Sequence, residues 1–196
     1  MGDRQMKIRV ALLAAGLMTA APSFAGADTE ALSADARGIV KGFFTNLKGE
    51  LQAGMKSGGP VHAVEVCNIK APAIAADASK ISGWEVGRTS LRLRNPDNAP
   101  DAWEQKILEW FEALREEGQD PATMEYAEVR DTADGRVFRY MKAIPQGEVC
   151  MVCHGGESVP PEVEAKIARL YPQDEARGYA PGDIRGAFTL SRQLAK

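Results

Sequence analysis

Between Thr29 and Met55 the apolar side chains Leu32, Ile39, Val40, Phe43, Phe44, Leu47, Leu51 and Met55 fall on three- and four-residue steps, the stripe of a long amphipathic helix. Gly58, Gly59 and Pro60 end it. A second helical stretch runs from about Val61 to Ala78, and Pro72 is expected to break or bend it because proline donates no backbone hydrogen bond. Trp84 to Arg94 reads as a strand, followed by a loop of turn-forming residues from Asn95 to Pro100. Asp101 and Glu104 then suggest a capping box, and Trp103, Ile107, Trp110, Phe111 and Leu114 give the next helix a buried face up to Gly118. Strand-like stretches at about Thr123 to Thr132 and Arg136 to Ile144 flank Asp134-Gly135, a hairpin signal. A short helix is expected over Pro161 to Leu170, a loop over Tyr171 to Asp183 and a last strand over Ile184 to Ser191. With no internal repeat or low-complexity tract, this order predicts an α+β domain with an antiparallel sheet and flanking helices, the first of them long.

The first residues follow a different logic. Lys7 and Arg9 precede an apolar run from Val10 to Ala21, and the small residues Ala25, Gly26 and Ala27 lie before Asp28. That is the layout of an export signal, too short in its apolar part to span a bilayer comfortably. Residues 1–27 are therefore expected to be cleaved as a signal peptide, leaving residues 28–196 as one domain, periplasmic and soluble with no membrane insertion after cleavage. The formal charge of the whole chain is −3. Cleavage would remove more basic than acidic residues, so the mature domain is more acidic still, and nucleic acid is not an expected partner.

Candidate chemistry concentrates in Cys150-Met151-Val152-Cys153-His154. Two thiols at this spacing can form thioethers with the two vinyl groups of one porphyrin, and the adjacent imidazole then meets the iron as proximal ligand. A thioredoxin-type pair or half of a zinc site would leave both His154 and the export signal unexplained. The motif's late position and the strands around it argue against the small all-helical cytochrome c fold. Of the three cysteines, Cys67 is left over. It reads either as a small buried hydrophobe or as a thiolate ligand to the iron, in competition with His62, Met55, Met124, Met141 and Met151. On the expected strand Arg88, Arg92 and Arg94 share one parity, either as a solvated face or as a clamp for haem propionates, with Arg185 a weaker candidate. Trp84, Trp103, Trp110, Phe138 and Tyr140 read as core, and Glu116 and Glu117 as a solvated helix end.

Several segments together resemble a known family: Ala63 to Asn68, Gly87 to Pro100, the Cys150–His154 motif, and Gly178 to Ala187. They look like the PAS-like single-haem c-type cytochrome domain, long catalogued as a domain of unknown function and best known from a cyanobacterial cytochrome. The resemblance covers nearly all of residues 28–196. It implies a PAS-like fold, one haem c with its iron, attachment through Cys150 and Cys153, and His154 as one axial ligand. It further implies a cysteine as second axial ligand, which maps onto Cys67. Related domains occur both as stand-alone exported proteins and as sensing parts of signalling proteins.

Two functions follow as expectations: a haem-binding redox or gas sensor acting on a signalling protein, or an electron carrier serving a redox partner protein. A thiolate ligand and a PAS-like fold favour the first, and the absence of a fused output domain favours the second. A haem enzyme would want acid–base groups in an open distal pocket, for which only His62 offers itself, so no enzymatic activity is expected.

Overall fold

The sheet is built on one hairpin. In a computed structural model, which describes the backbone of residues 24–194 and side chains from residue 28 onward, β2 (Glu125–Thr132) and β3 (Gly135–Pro145) pair with Thr132 opposite Gly135. The leader expected over residues 1–27 lies outside this description except for the backbone of its last four residues. The two loop residues are Ala133 and Asp134, neither with positive φ, so Gly135 (φ 119°) opens the strand rather than sitting in the turn. β4 (Ile184–Gln193) pairs along β3, and β1 (Glu85–Thr89) pairs with β4. The order is β1-β4-β3-β2, antiparallel throughout, the PAS-like arrangement expected.

Period-two alternation divides the core between the two faces. Phe138 and Tyr140 of β3 and Phe188 and Leu190 of β4 pack with Ala36, Val40, Phe43 and Trp84. Met141, Ala143 and Ala187, one position out of phase, pack with Trp103, Ile107, Leu108 and Phe111 of α2 (Ala102–Glu116). Burying each large apolar side chain contributes roughly 1.5–3 kcal/mol. The Asp101–Glu104 capping box forms as expected and starts α2, with Asp101 accepting from the Trp103 and Glu104 amides. Trp110 departs from the expected buried face: it is 42% exposed, resting edge-on against Tyr126.

Helix α1 (Phe24–Ser82) supplies the cover for the first face as two arms joined at Gly58 and Gly59, whose dihedrals alone in the helix are non-helical. The arms double back, so that Gly54 lies against Ala63 and Val66. Contrary to expectation, Pro72 does not end the second arm, which runs on to Ser82. The alanines at 71, 73, 75, 76 and 78 are the strongest helix formers and offset the hydrogen bond that proline removes. Against the second arm lies α4 (Pro161–Leu170), through Val64, Val163 and Ile167 and a 3.1 Å ion pair between Glu65 and Lys166.

β1 is shorter than expected, ending at Thr89. The Ser90 hydroxyl accepts from the Arg92 amide (3.2 Å) and lies 2.8 Å from the Arg185 carbonyl, turning the chain out of the ladder. Opposite this point Gly186 has φ 152°, and a Cβ there would run into the Thr89 carbonyl oxygen. Gly186→Ala should therefore cost about 2–3 kcal/mol in urea unfolding, from strain and lost closure of β1 on β4. Gly87→Ala, whose Cβ would meet only the Thr189 methyl at 3.5 Å, should cost less than about 1 kcal/mol. Equal losses in the two variants would refute this account of the turn.

Candidate functional site

After β3 the chain makes one 3-10 turn, Glu148–Cys150, that runs directly into α3 (Met151–His154). Residues three and four apart on a helical turn share a face, so this short coil puts Cys150, Cys153 and His154 side by side. All three are half-buried. Backbone bonds fasten the motif to the following loop: the Tyr179 amide donates to the His154 carbonyl and the Gly178 amide to that of Gly155, both at 3.0 Å.

The His154 ring is held by its Nδ1, 2.9 Å from the Ala176 carbonyl. Because a carbonyl can only accept, Nδ1 carries the proton and Nε2 the lone pair. The Arg185 Nε lies 3.2 Å from Nδ1 and 3.5 Å from Nε2, and with the proton on Nδ1 it can donate only to Nε2. Burial, and then the cations of Arg185 and Arg94, push the His154 pKa well below its usual value, with the Ala176 carbonyl opposing. The imidazole is neutral, with a lone pair on Nε2 that only the Arg185 Nε approaches among the described residues, the tautomer in which histidine ligates a metal through Nε2.

Cys67, on the second arm of α1, is half-buried in the same region. Burial pushes its pKa up, the charges of Arg88 and Arg94 pull it down, and Cys150 raises it again. Cys153 follows the same pattern, with burial raising its pKa and Arg94 opposing. Thus the three cysteines, His154 and two of the arginines chosen from the sequence act on one another across one space. Among the described residues no three His, Cys, Asp or Glu side chains are clustered to hold a bare metal ion.

The three arginines do not share a face. Only Arg88 is on β1, where burial lowers its pKa; it stands 5.7 Å from the Phe43 ring and has no carboxylate partner among the described residues. Arg92 stacks on Tyr179 at 3.6 Å and donates to the Arg177 carbonyl. Arg94 pairs with Asp174 through Nε (3.0 Å) and Nη2 (3.1 Å), and its Nη2 also reaches the carbonyls of Cys153 (2.6 Å) and Ala176 (3.1 Å). Arg185, the weaker candidate, is the arginine beside His154, its pKa brought down to about 10 chiefly by burial.

Of the competing ligand candidates, Met124 and Met141 are core residues packed under α2, and His62 is exposed with Nδ1 3.9 Å from Glu65. Met151 faces Gln146, its sulfur 3.8 Å from Nε2. Three contributors escaped the sequence reading. Ala176 acts through its backbone carbonyl, which no side-chain pattern reveals. Asp174 lies in a stretch legible only as loop. Tyr171, whose pKa is raised by burial and lowered by a hydrogen bond from Asn68, lies in the electrostatic reach of Cys67.

Comparison with known proteins gives a consistent picture. A family model described as Tll0287-like matches residues 13–192. The crystal structure of the cyanobacterial heme-protein Tll0287 is similar in fold, with a TM-score of 0.61 and 21% identity over 90% of this chain and 99% of that one. No curated protein matches.

The Glu65–Lys166 pair ties the arm bearing Cys67 to α4. The hydrogen bond from Lys166 holds the Glu65 carboxyl below its usual pKa. A depressed carboxylate pKa contributes stability that is full above the unfolded value, about pH 4.3, and is lost as pH falls through the folded value. Thermal melts from about pH 6 to about pH 3 should therefore fall less steeply in Glu65→Gln than in the wild type. Identical pH slopes would show that the pair contributes nothing.

Proposed function

The chain belongs to the Tll0287-like family, and on that premise we propose that it is an exported protein with one covalently attached haem c, working as a redox or gas sensor. The observation that carries this is the state of His154: neutral, its Nδ1 proton donated to the Ala176 carbonyl and its lone pair left on Nε2, on one helical face with two thiols. The residues fit the group. Cys150 and Cys153 would tether the porphyrin, His154 Nε2 would bind its iron, and Arg88, a half-buried cation lacking a carboxylate partner, would meet a propionate. Bound there, haem supplies one-electron chemistry and an iron to which a small ligand can bind.

Cys67 gives the sensing reading its chemistry. A thiolate at Sγ favours the ferric state, and burial favours the neutral thiol, so a proton gained at Sγ would weaken this ligand. Its arm is separated from the first one, between residues 39–50 and 74–82, by a cleft of about 560 Å³, which leaves room for a shift to reach a signalling partner. A second reading, an electron carrier, is favoured by the partial exposure of Cys150, Cys153 and His154, which would keep an attached haem within tunnelling reach of a docked redox protein. On both readings the protein works outside the cytoplasm, where thioether attachment is completed.

Two outcomes test this. Protein made with a c-type maturation system should keep its haem on a denaturing gel, and Cys150→Ala with Cys153→Ala should lose it. Haem extractable into acidic organic solvent from the wild type would defeat the covalent reading. Ferric wild-type protein should show the narrow g-spread and sulfur-to-iron charge-transfer bands of thiolate ligation. Both should vanish in Cys67→Ser, with a rise in reduction potential, while His62→Ala leaves them intact. An unchanged spectrum and potential in Cys67→Ser would remove the sensing reading's chemical basis.

A further inference from the structure

Asp174 is an unusual residue for a connecting loop: its side chain is 1% exposed, and its carboxylate accepts from Arg94 Nε and Nη2 and from the Ala176 amide (3.0 Å) and is ion-paired with Arg177 Nε (2.9 Å). Arg94, 11% exposed, turns the other side of the same Nη2 to the carbonyls of Cys153 and Ala176. The Ala176 carbonyl is also the acceptor for His154 Nδ1. One guanidinium thus joins the backbone of a haem-attaching cysteine, a buried carboxylate and the acceptor that orients the histidine. The Glu175 amide, donating to the Leu93 carbonyl at 2.7 Å, fastens the same two segments beside it.

We propose that Arg94, fixed by Asp174, is the positioning residue of the His154 side: it sets where the Ala176 carbonyl stands and how strongly that carbonyl draws on the Nδ1 proton. The inference rests on the haem reading above. It differs from a propionate role because Nε and Nη2 are already spent on Asp174 and two carbonyls. A carbonyl that accepts from a guanidinium has less electron density to offer a second donor. His154 is then held in one tautomer and one orientation without acquiring strong imidazolate character, which would favour ferric iron. Lysine cannot replace this function, because a point-like ammonium lacks the planar fork that reaches both Asp174 oxygens and two carbonyls at once.

The test uses the ferric holoprotein and follows the His154 Nδ1 proton by NMR beside the reduction potential. In Arg94→Lys, which keeps the charge, the Nδ1 proton resonance should move and exchange with solvent about fivefold to tenfold more slowly, as expected for one strengthened hydrogen bond. The potential should fall. Arg94→Gln should lower the potential further, since a cation is lost as well. Asp174→Asn, nearly isosteric, should shift the proton resonance in the same way with Arg94 retained, and it provides the reading if the Arg94 variants fail to fold. An unchanged Nδ1 resonance and exchange rate in Arg94→Lys or in Asp174→Asn overturns the inference. A wild-type protein with no hyperfine-shifted histidine Nδ1 proton overturns the haem reading instead.

Discussion

A buried carboxylate is tolerable only when its charge is matched and its lone pairs are filled, and Asp174 meets both conditions with two arginines and a backbone amide. The organisation of the site depends on that match. Without Asp174 the Arg94 guanidinium would be a charge in a mostly dry place, and removing one partner of such a pair typically costs about 3–5 kcal/mol. With it, Arg94 can reach the carbonyls of Cys153 and Ala176, and the Cys150–His154 coil is fixed to the 174–179 segment at both its backbone and its imidazole. The sheet's part is to deliver the two segments: β3 leads into the motif, and the loop before β4 carries Asp174 and Ala176.

The grouping of Cys150, Cys153 and His154 was legible because it depends on spacing along one helical turn alone. So were the α4 span, the Asp101–Glu104 cap and the alternation on β3 and β4, where a period or a cap has one physical meaning. Legibility failed where geometry overrode pattern. The parity of Arg88, Arg92 and Arg94 is informative only on a continuous strand, and the Ser90 hydroxyl with the Gly186 backbone ends β1 before Arg92. Pro72 suggests a break or bend because its missing amide is obvious, whereas the alanines that carry the helix past it are a weaker and distributed signal. Trp110 fell on the apolar stripe of α2 and yet half-faces solvent, since Trp103, Ile107 and Phe111 already fill the space over β3 and β4. Ala176 could not have been found at all, because it contributes an atom that every residue has.

The two sides of the proposed haem site are built differently. His154 is over-determined: its ring, its carbonyl and its neighbours Cys153 and Gly155 each bond to the 174–179 segment or to Arg94, and the anchoring carboxylate is inaccessible. Cys67 sits on a helical arm held by apolar packing, with Val64 on α4 and Ile74 and Ala75 on the sheet core, by the Ser79 hydroxyl at the Val86 amide, and by an ion pair to a half-exposed Glu65. Five residues further on, Pro72 leaves the Asn68 carbonyl without its helical donor, so the arm is weakest in bonding next to the thiol. A conformational response needs one element with alternatives and another without them. The rigid side cannot yield without breaking a buried ion pair, whereas the arm around Cys67 is held by apolar packing and one half-exposed ion pair, which tolerate a small shift more readily. On the sensing reading, a change at the iron is therefore expressed as movement of the arm that carries Cys67, and its length is what makes a small displacement at the thiol large at the Gly58-Gly59 tip.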